Sequence, residues 1–115
     1  MVISELSKKT GLTKDTIRFY DKLGFFNFSR KDNNYKLYDN DCIEVIEFIK
    51  LGKSLGFSLN EIKYYYFEIF SVKPKSKEIK NILTIKSMEI DNKIQELEQV
   101  KIKLQEIIKT LNCND

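Results

Sequence analysis

The sequence contains no histidine, and this absence removes several classes of catalytic site. Serine–histidine triads and histidine-based metal sites need an imidazole, the side chain that titrates near neutral pH. No pair of carboxylates stands in an apolar setting that would tune it for acid–base work. The residues therefore argue against an enzyme, and they predict no cofactor.

Cysteine is scarce as well. Cys42 and Cys113 are far apart and match neither a disulfide framework nor a zinc-site spacing, so we predict no metal site. Cys42 is either a redox-sensitive thiol or, as we favour, a small buried residue. We interpret Cys113 as a plain tail cysteine, with a metal shared by two copies of the chain as the alternative.

Long apolar runs are also missing. None approaches the ~20 residues of a membrane-spanning helix, and Met1 leads into a helical pattern rather than a cleavable signal. With 42% hydrophobic and 32% charged residues, the 115-residue chain is typical of one domain, or of one small domain with an appendage. We expect a cytoplasmic protein with no membrane partner.

Positive charge is concentrated at one end of the chain. Residues 1–38 hold eight Lys or Arg against four Asp or Glu, whereas residues 39–115 hold twelve against thirteen. Nucleic acid is the obvious polyanion for the basic end. A charge run is more often only a solvated face, so charge alone leaves both interpretations open.

Two short helices are predicted at the basic end. Ser4 can cap the first helix, which Gly11 ends, and Thr13 can cap the second, which Gly24 ends. Such a pair, joined by a tight turn, is typical of a helix-turn-helix, whose second helix enters the major groove of DNA. On that second helix a basic ridge shares one face: Lys14, Arg18 and Lys22.

The segment SRKDNNYKLY, residues 29–38, follows this pair. Asn33-Asn34 tolerates positive φ and joins two short alternating segments, which predicts a β-hairpin. A hairpin beside a helix-turn-helix is a wing, and an ordinary polar loop is the alternative. The wing would offer donors to phosphate oxygens from Arg30, Lys31, Tyr35 and Lys36.

Two further helices complete the predicted DNA-binding domain, which we call the head (residues 1–72). Asp39 can cap the third, and Ser58 with Glu61 can form a capping box for the fourth. The aromatic run YYYFEIF, residues 64–70, is interpreted as core or hinge packing, with the lining of a small pocket as the alternative. Pro74 marks a break before the last element.

The last element is one long helix from Ser76 to Leu111, ~54 Å long, with no glycine or proline. A helix packed on its own domain is the alternative to a coiled coil, but the apolar stripe is longer than so small a domain. We therefore predict a homodimer. Its seam has a seven-residue repeat: Leu83, Ile90, Leu97, Leu104 and Leu111, joined by Ile94 and Ile108.

The fold class predicted is mainly α: a winged helix-turn-helix DNA-binding domain (1–72), a linker (73–75), a coiled-coil dimerisation helix (76–111) and a tail (112–115). The pattern ISELSKKTGLTKDTIRFYDKLGFF, then Arg30 with NYKLY and Asp41, then GFSLNEI, closely resembles the MerR family of bacterial transcriptional regulators over essentially the whole chain. The resemblance implies that the dimerisation helices pair antiparallel in a homodimer. It also implies binding to a pseudo-palindromic operator in double-stranded DNA. The activated dimer would bend and untwist that DNA so that RNA polymerase can engage the promoter.

The resemblance also assigns residues. Lys14, Asp15 and Arg18 would lie at the groove, and Tyr20 would add a phosphate contact through its hydroxyl. Arg30, Tyr35 and Lys36 would hold the DNA backbone from the wing. Phe19 either lines the groove or enters the core.

The chain departs from the family pattern at the wing. Asn34 stands where the family usually has glycine and Lys36 where it usually has arginine, which replaces a forked contact by a point charge. Metal-sensing members bind their ion through cysteines after the coiled coil. Cys113 supplies only one thiolate near that place, so the sequence does not identify an effector.

Two other interpretations of the function stay open: an architectural or excisionase-like DNA binder, and a coiled-coil interaction module for a different chain.

Overall fold

The computed structural model of the chain describes residues 1–26 and 35–113, and the backbone of residues 30–32. It divides into two compact units, Met1–Lys73 and Pro74–Asp115. Within the described residues, the first unit consists mainly of helices with one small hairpin, and the second is one long helix. The predicted class, mainly α with a winged helix-turn-helix, is confirmed.

The first two helices are α1 (Ile3–Thr10) and α2 (Lys14–Lys22). Gly11 ends α1 in the left-handed conformation at φ 77°, which favours a residue without a Cβ. Thr13 caps α2, because its hydroxyl oxygen accepts a hydrogen bond from the Thr16 amide at 3.1 Å. Both of these predicted helix ends are confirmed.

The start of α1 differs from the prediction. Ser4 lies inside α1, and the N-cap is Val2, which makes no side-chain hydrogen bond. The Val2 carbonyl instead accepts the amides of Glu5 and Leu6 at 3.1 and 3.2 Å. The prediction of Ser4 as cap is wrong because α1 begins early enough to pack Ile3 against the core.

The wing is present as two antiparallel strands, β1 (Arg30–Asp32) and β2 (Tyr35–Leu37). Asp32 lies opposite Tyr35 in the register, and the predicted turn at Asn33-Asn34 lies outside the described residues. After β2, the Tyr38 amide donates to the Met1 carbonyl at 2.6 Å. The Met1 amino group donates in return to the Tyr38 carbonyl at 2.7 Å, so the base of the wing is fastened to the start of α1.

The third helix, α3 (Asp41–Ser54), also begins differently from the prediction. Its N-cap is Asn40, and Asp39 contributes through its backbone carbonyl, which accepts the Cys42 amide at 3.0 Å. The prediction of Asp39 as N-cap is therefore wrong. Asn40 already has helical dihedral angles, so the first turn closes on main-chain atoms.

The fourth helix, α4 (Leu59–Tyr64), begins with the predicted capping box. The Ser58 hydroxyl oxygen accepts the Glu61 amide at 3.1 Å, and the Glu61 carboxylate accepts the Ser58 amide at 2.9 Å. The chain continues as a π-helical turn (Tyr65–Ile69), in which the Phe70 amide donates to the Tyr65 carbonyl at 2.8 Å. This turn was not predicted.

The core of the first unit draws on all four helices and the segments between them. α3 is central, since it supplies four fully buried residues, and burial of each of its three aliphatic side chains contributes ~1.5–3 kcal/mol. Lys50 of α3 also donates to the Thr10 carbonyl at the end of α1, where a cation is favoured. The largest fully buried apolar residues are Phe25, Leu6, Ile17, Ile46, Ile49, Ile62 and Val45.

The long helix α5 (Ser76–Cys113) has 38 residues and is ~57 Å long. None of its residues is buried. No helix in the described ranges is both long enough and apolar enough to cross a bilayer. The side chains of the predicted seam are 45–61% exposed: Leu83, Ile90, Ile94, Leu97, Leu104, Ile108 and Leu111.

α3 and α4 approach each other closely at Gly52. A Cβ added there would lie 2.7 Å from Cγ1 and 2.8 Å from Cδ1 of Ile62. Ile62 is itself fully buried, so it cannot give way without disturbing the close-packed core. Glycine at this position therefore sets the distance between the two helices.

We expect Gly52→Ala to lower the free energy of unfolding by about 1 kcal/mol. Overpacking costs ~1–3 kcal/mol, and alanine regains ~1 kcal/mol over glycine through helix propensity. Urea unfolding followed by circular dichroism, at one protein concentration, measures the change. Leu51→Ala, at a neighbouring exposed position, is the control and should have little effect. A Gly52→Ala protein as stable as the wild type would contradict the close contact.

Candidate nucleic-acid interface

The two sides of α2 have opposite character. Ile17 and Tyr20 are buried on the inner side. The outer side, three and four residues apart along the helix, carries exposed charged residues: Lys14, Asp15, Arg18 and Lys22. Three cations and one carboxylate therefore share a surface that the rest of the described head leaves uncovered.

An ion pair organises this outer side. Nη1 of Arg18 lies 3.1 Å from Oδ1 of Asp15, one helical turn earlier. Both side chains are largely exposed, at 60% and 95%, so the pair contributes little to stability. Its effect is to hold a planar guanidinium, which can donate to two acceptors at once, over the first turns of α2.

The two aromatic residues of α2 have different environments. Tyr20 is only 6% exposed, and its ring packs edge-on against Phe25 with centroids 5.9 Å apart. Its predicted phosphate contact therefore depends on the hydroxyl alone. Phe19 is 50% exposed, and its centroid lies 6.2 Å from that of Tyr20. The sequence left Phe19 between groove and core, and the structure places it on the exposed side, at the margin of the core.

A carboxylate of α2 fixes the position of the wing. Oδ2 of Asp21 accepts the Lys36 ammonium at 2.5 Å and the Tyr38 hydroxyl at 3.2 Å. Tyr38 is buried, and its burial, with the nearby charge of Asp21, raises its pKa to about 12. The phenol therefore stays protonated and donating at neutral pH. One side chain thus ties the second helix of the motif to β2 and to the residue that follows it.

The predicted wing residues do not all share one face. Side chains alternate along a strand, so Tyr35 and Lys36 point to opposite sides of the hairpin. Lys36 turns toward Asp21 of α2, whereas Tyr35 is 70% exposed. Arg30 pairs through its backbone with Leu37, and its side chain lies outside the described residues.

Two polar residues of this region were missed by the sequence reading. Asp21 was not singled out, although it holds Lys36 and Tyr38. Lys63 of α4 reaches the end of α2, since its Nζ lies 3.1 Å from the position of a Cβ built on Gly24. Both arrangements join residues distant in sequence, so no local spacing could have indicated them.

The described residues hold no group of three or more cysteine, histidine or acidic side chains that could bind a metal ion. Cys42 is fully buried, and this burial raises the pKa of its thiol to about 11. A protonated, enclosed thiol is a poor nucleophile, which supports the interpretation of Cys42 as a small buried residue. Cys113 is exposed at the last residue of α5.

The aromatic run 64–70 makes edge-to-face ring contacts with α3 and its surroundings. Phe48 lies 5.3 Å from Tyr66 and 5.1 Å from Phe70, centroid to centroid, and Phe57 lies 5.6 Å from Tyr65. Such pairs add to the stability gained from burial. The contacts support the interpretation of this run as packing within the head.

The helix-turn-helix, the basic outer side of α2 and the attached wing together define a DNA-binding protein of the winged helix-turn-helix class. Comparison with known protein families agrees with this assignment. The family described as "MerR HTH family regulatory protein" matches residues 1–66, and the family described as "MerR, DNA binding" matches residues 43–107. The chain belongs to the MerR family of transcriptional regulators.

Similar proteins are found among characterised regulators and solved structures. The HTH-type transcriptional regulator HmrR of Rhizobium leguminosarum bv. viciae is 30% identical over 115 residues, which is 100% of this chain and 89% of that protein. The mercuric resistance operon regulatory protein of Bacillus cereus is 30% identical over 106 residues, 91% of this chain and 80% of that protein. A crystal structure of a MerR-family transcriptional regulator from Bacillus cereus shares the fold, with a TM-score of 0.76 at 22% identity over 96% of this chain and 81% of that one.

We expect Tyr38→Phe to lower the free energy of unfolding by about 1–2 kcal/mol. The change removes a hydrogen bond to a charged group and leaves one lone pair of the mostly buried Asp21 carboxylate without its donor. Urea unfolding measures the loss. Tyr35→Phe removes the same hydroxyl from an exposed position of the same hairpin and should change stability by less than about 0.5 kcal/mol. Equal effects of the two substitutions would contradict the role of Asp21 as the anchor of the wing.

Proposed function

We propose that the chain acts as a homodimer that binds a pseudo-palindromic operator in promoter DNA and regulates transcription by distorting that DNA. The observation that carries the proposal is that one chain has both a DNA-binding face and an exposed apolar seam, each of which needs a second copy of the chain. The head offers one DNA-binding face, and α5 offers an exposed apolar seam. Two copies joined at the seam would present two such faces to a two-fold symmetric site.

The seam of α5 supports dimerisation through its exposed area. Apolar side chains that are about half exposed along ~57 Å of helix favour association, because burial stabilises by ~25 cal/mol per Å². Polar residues occupy other positions of the second row of the seam, namely Lys80, Ser87 and Lys101. Such positions weaken the seam and restrict its register and its partner.

The outer side of α2 would contact the base edges of the DNA. Arg18 has the forked geometry that reads guanine, and Asp15 can accept from the cytosine amino group. Lys14 adds a cation at the start of the same helix. Tyr20 would contribute only through its hydroxyl.

The wing would hold the sugar–phosphate backbone. The Lys36 ammonium has three donors, so it can keep Asp21 and still donate to a phosphate oxygen. Tyr35 is exposed and free to present its hydroxyl, and Arg30 is proposed for the same role. These contacts position the protein and carry no sequence information themselves.

Regulation by distortion is proposed because the chain belongs to the MerR family. Bending or untwisting a promoter has an energetic cost that depends on its sequence, so it adds specificity at base pairs the protein does not touch. RNA polymerase at the same promoter would be the downstream partner. The chain would work without catalysing a reaction, in the bacterial cytoplasm where the chromosome lies.

We expect Leu97→Asp to dissociate the dimer. An unpaired carboxylate buried in the seam costs ~3 kcal/mol or more, which corresponds to a rise in the dimer dissociation constant of about two orders of magnitude. Light scattering across a concentration series measures the mass. Gln99→Asp introduces the same charge on α5 away from the seam and should leave the mass unchanged. A Leu97→Asp protein that remains dimeric would refute the seam.

We expect Arg18→Ala to weaken operator binding by ~1–3 kcal/mol and to relax discrimination at one base pair, since a bidentate contact to guanine is lost. The operator is first obtained by selecting bound duplexes from a random DNA library. Titrations on the operator and on an unrelated duplex then separate the two kinds of contact. Lys109→Ala removes one positive charge from the far part of α5 and should bind as the wild type does. An equal loss for Arg18→Ala on both duplexes would make Arg18 a phosphate contact instead.

A circular-permutation gel assay tests the distortion itself. Bending by the dimer makes the mobility of the complex depend on where the operator lies in the fragment. A mobility independent of that position, together with normal operator binding, would remove distortion from the proposal and keep the rest.

A further inference from the structure

Phe19 is an exposed phenyl group within a charged surface. On the outer side of α2 its neighbours one turn away are Asp15 and Lys22, and Arg18 precedes it in the chain. The ring leaves 50% of the residue's surface in water, although it contains no group that water or a phosphate can hydrogen-bond strongly. Such a side chain is complementary to an apolar group presented by the ligand of this surface.

The Phe19 ring borders the inner side of α2. Its centroid lies 6.2 Å from the ring of Tyr20, at an interplanar angle of 48°. Tyr20 is buried and packs against the fully buried Phe25. One side of the Phe19 ring therefore lies next to the buried Tyr20 ring, and about half of the residue is exposed to solvent.

We propose that Phe19 is a specificity-determining residue that contacts the methyl group of a thymine in the major groove. The inference rests on the proposed function, which brings the outer side of α2 to DNA. The thymine C5-methyl is the apolar group that unmodified base edges present in that groove. A phenyl ring has no donor or acceptor for the other base-edge atoms.

The geometry of α2 also limits where this thymine lies. Arg18 and Phe19 are consecutive residues, so their Cα atoms are about 3.8 Å apart, close to the ~3.4 Å rise of one base pair. Their side chains leave the helix in directions that differ by about 100°, which can add to this separation at the DNA. The thymine therefore lies within about two base pairs of the pair that Arg18 contacts. Together, the two neighbouring residues would read a guanine through hydrogen bonds and a thymine through its methyl group.

The experiment replaces thymine by deoxyuridine, which removes the methyl group and keeps every hydrogen-bonding atom. After an operator is selected with the wild-type protein, each symmetry-related pair of thymines is replaced in turn and the dissociation constant is measured. Loss of one methyl contact corresponds to about a fourfold weaker affinity per half-site. We expect this loss at one thymine position within the half-site, near the Arg18-dependent base pair.

Variants assign the effect to the ring. Phe19→Ala should bind the thymine and deoxyuridine operators equally, at about the affinity of the wild type for the deoxyuridine operator. Phe19→Leu keeps an apolar side chain and should retain a preference for thymine. Arg18→Ala should keep the thymine preference while losing overall affinity. Circular dichroism confirms that each variant is folded, and the wild-type comparison of the two operators needs no variant.

The outcomes separate this inference from the proposed function. An enriched operator in which no thymine depends on its methyl group would overturn the role of Phe19 and leave the regulator proposal intact. A methyl dependence that Phe19→Ala retains in full would likewise overturn it. Failure of the wild-type protein to enrich any symmetric site would overturn both.

Discussion

The burial of Ile17 decides which way the rest of α2 faces. Ile17 is fully enclosed by the core, and Arg18, the next residue, is turned about 100° around the helix. Once the apolar side of α2 is fixed, the side of the helix on which Arg18 and Asp15 lie is fixed as well, and their ion pair only orients the guanidinium there. The proposed DNA-binding surface of the head is therefore positioned by hydrophobic packing on its reverse side.

The head and the long helix use this packing in opposite ways. In Met1–Lys73 most apolar residues of the helices lie in or against an internal core. In α5 most apolar residues stay exposed, and those of the predicted seam lie along one stripe. The charged residues show the same contrast: Asp21 is mostly buried and bonded to two donors, whereas the Lys93–Glu96 pair of α5 is open to solvent and contributes little.

Local rules predicted most of the fold, and long-range contacts account for what they missed. The ends at Gly11, the cap at Thr13 and the capping box at Ser58 depend on neighbouring residues, so the sequence indicated them. Ser4 and Asp39 satisfied the same local rule for an N-cap, but both predictions were wrong. Main-chain carbonyls close those first turns, and packing sets where each helix begins. At the interface, the spacing on α2 predicted the basic ridge. The anchoring of the wing by Asp21 and the exposure of Phe19 required the folded chain.

The π-helical turn at Tyr65–Ile69 has a consequence for comparing sequences. A π turn holds one residue more than an α turn at nearly the same place in space, so it behaves as a one-residue insertion absorbed inside a helix. Here it keeps three successive aromatic side chains packed while the helix start at Ser58 is unaffected. An alignment of relatives should therefore permit a single gap within this aromatic helix, where helices are usually treated as rigid blocks and gaps are confined to loops.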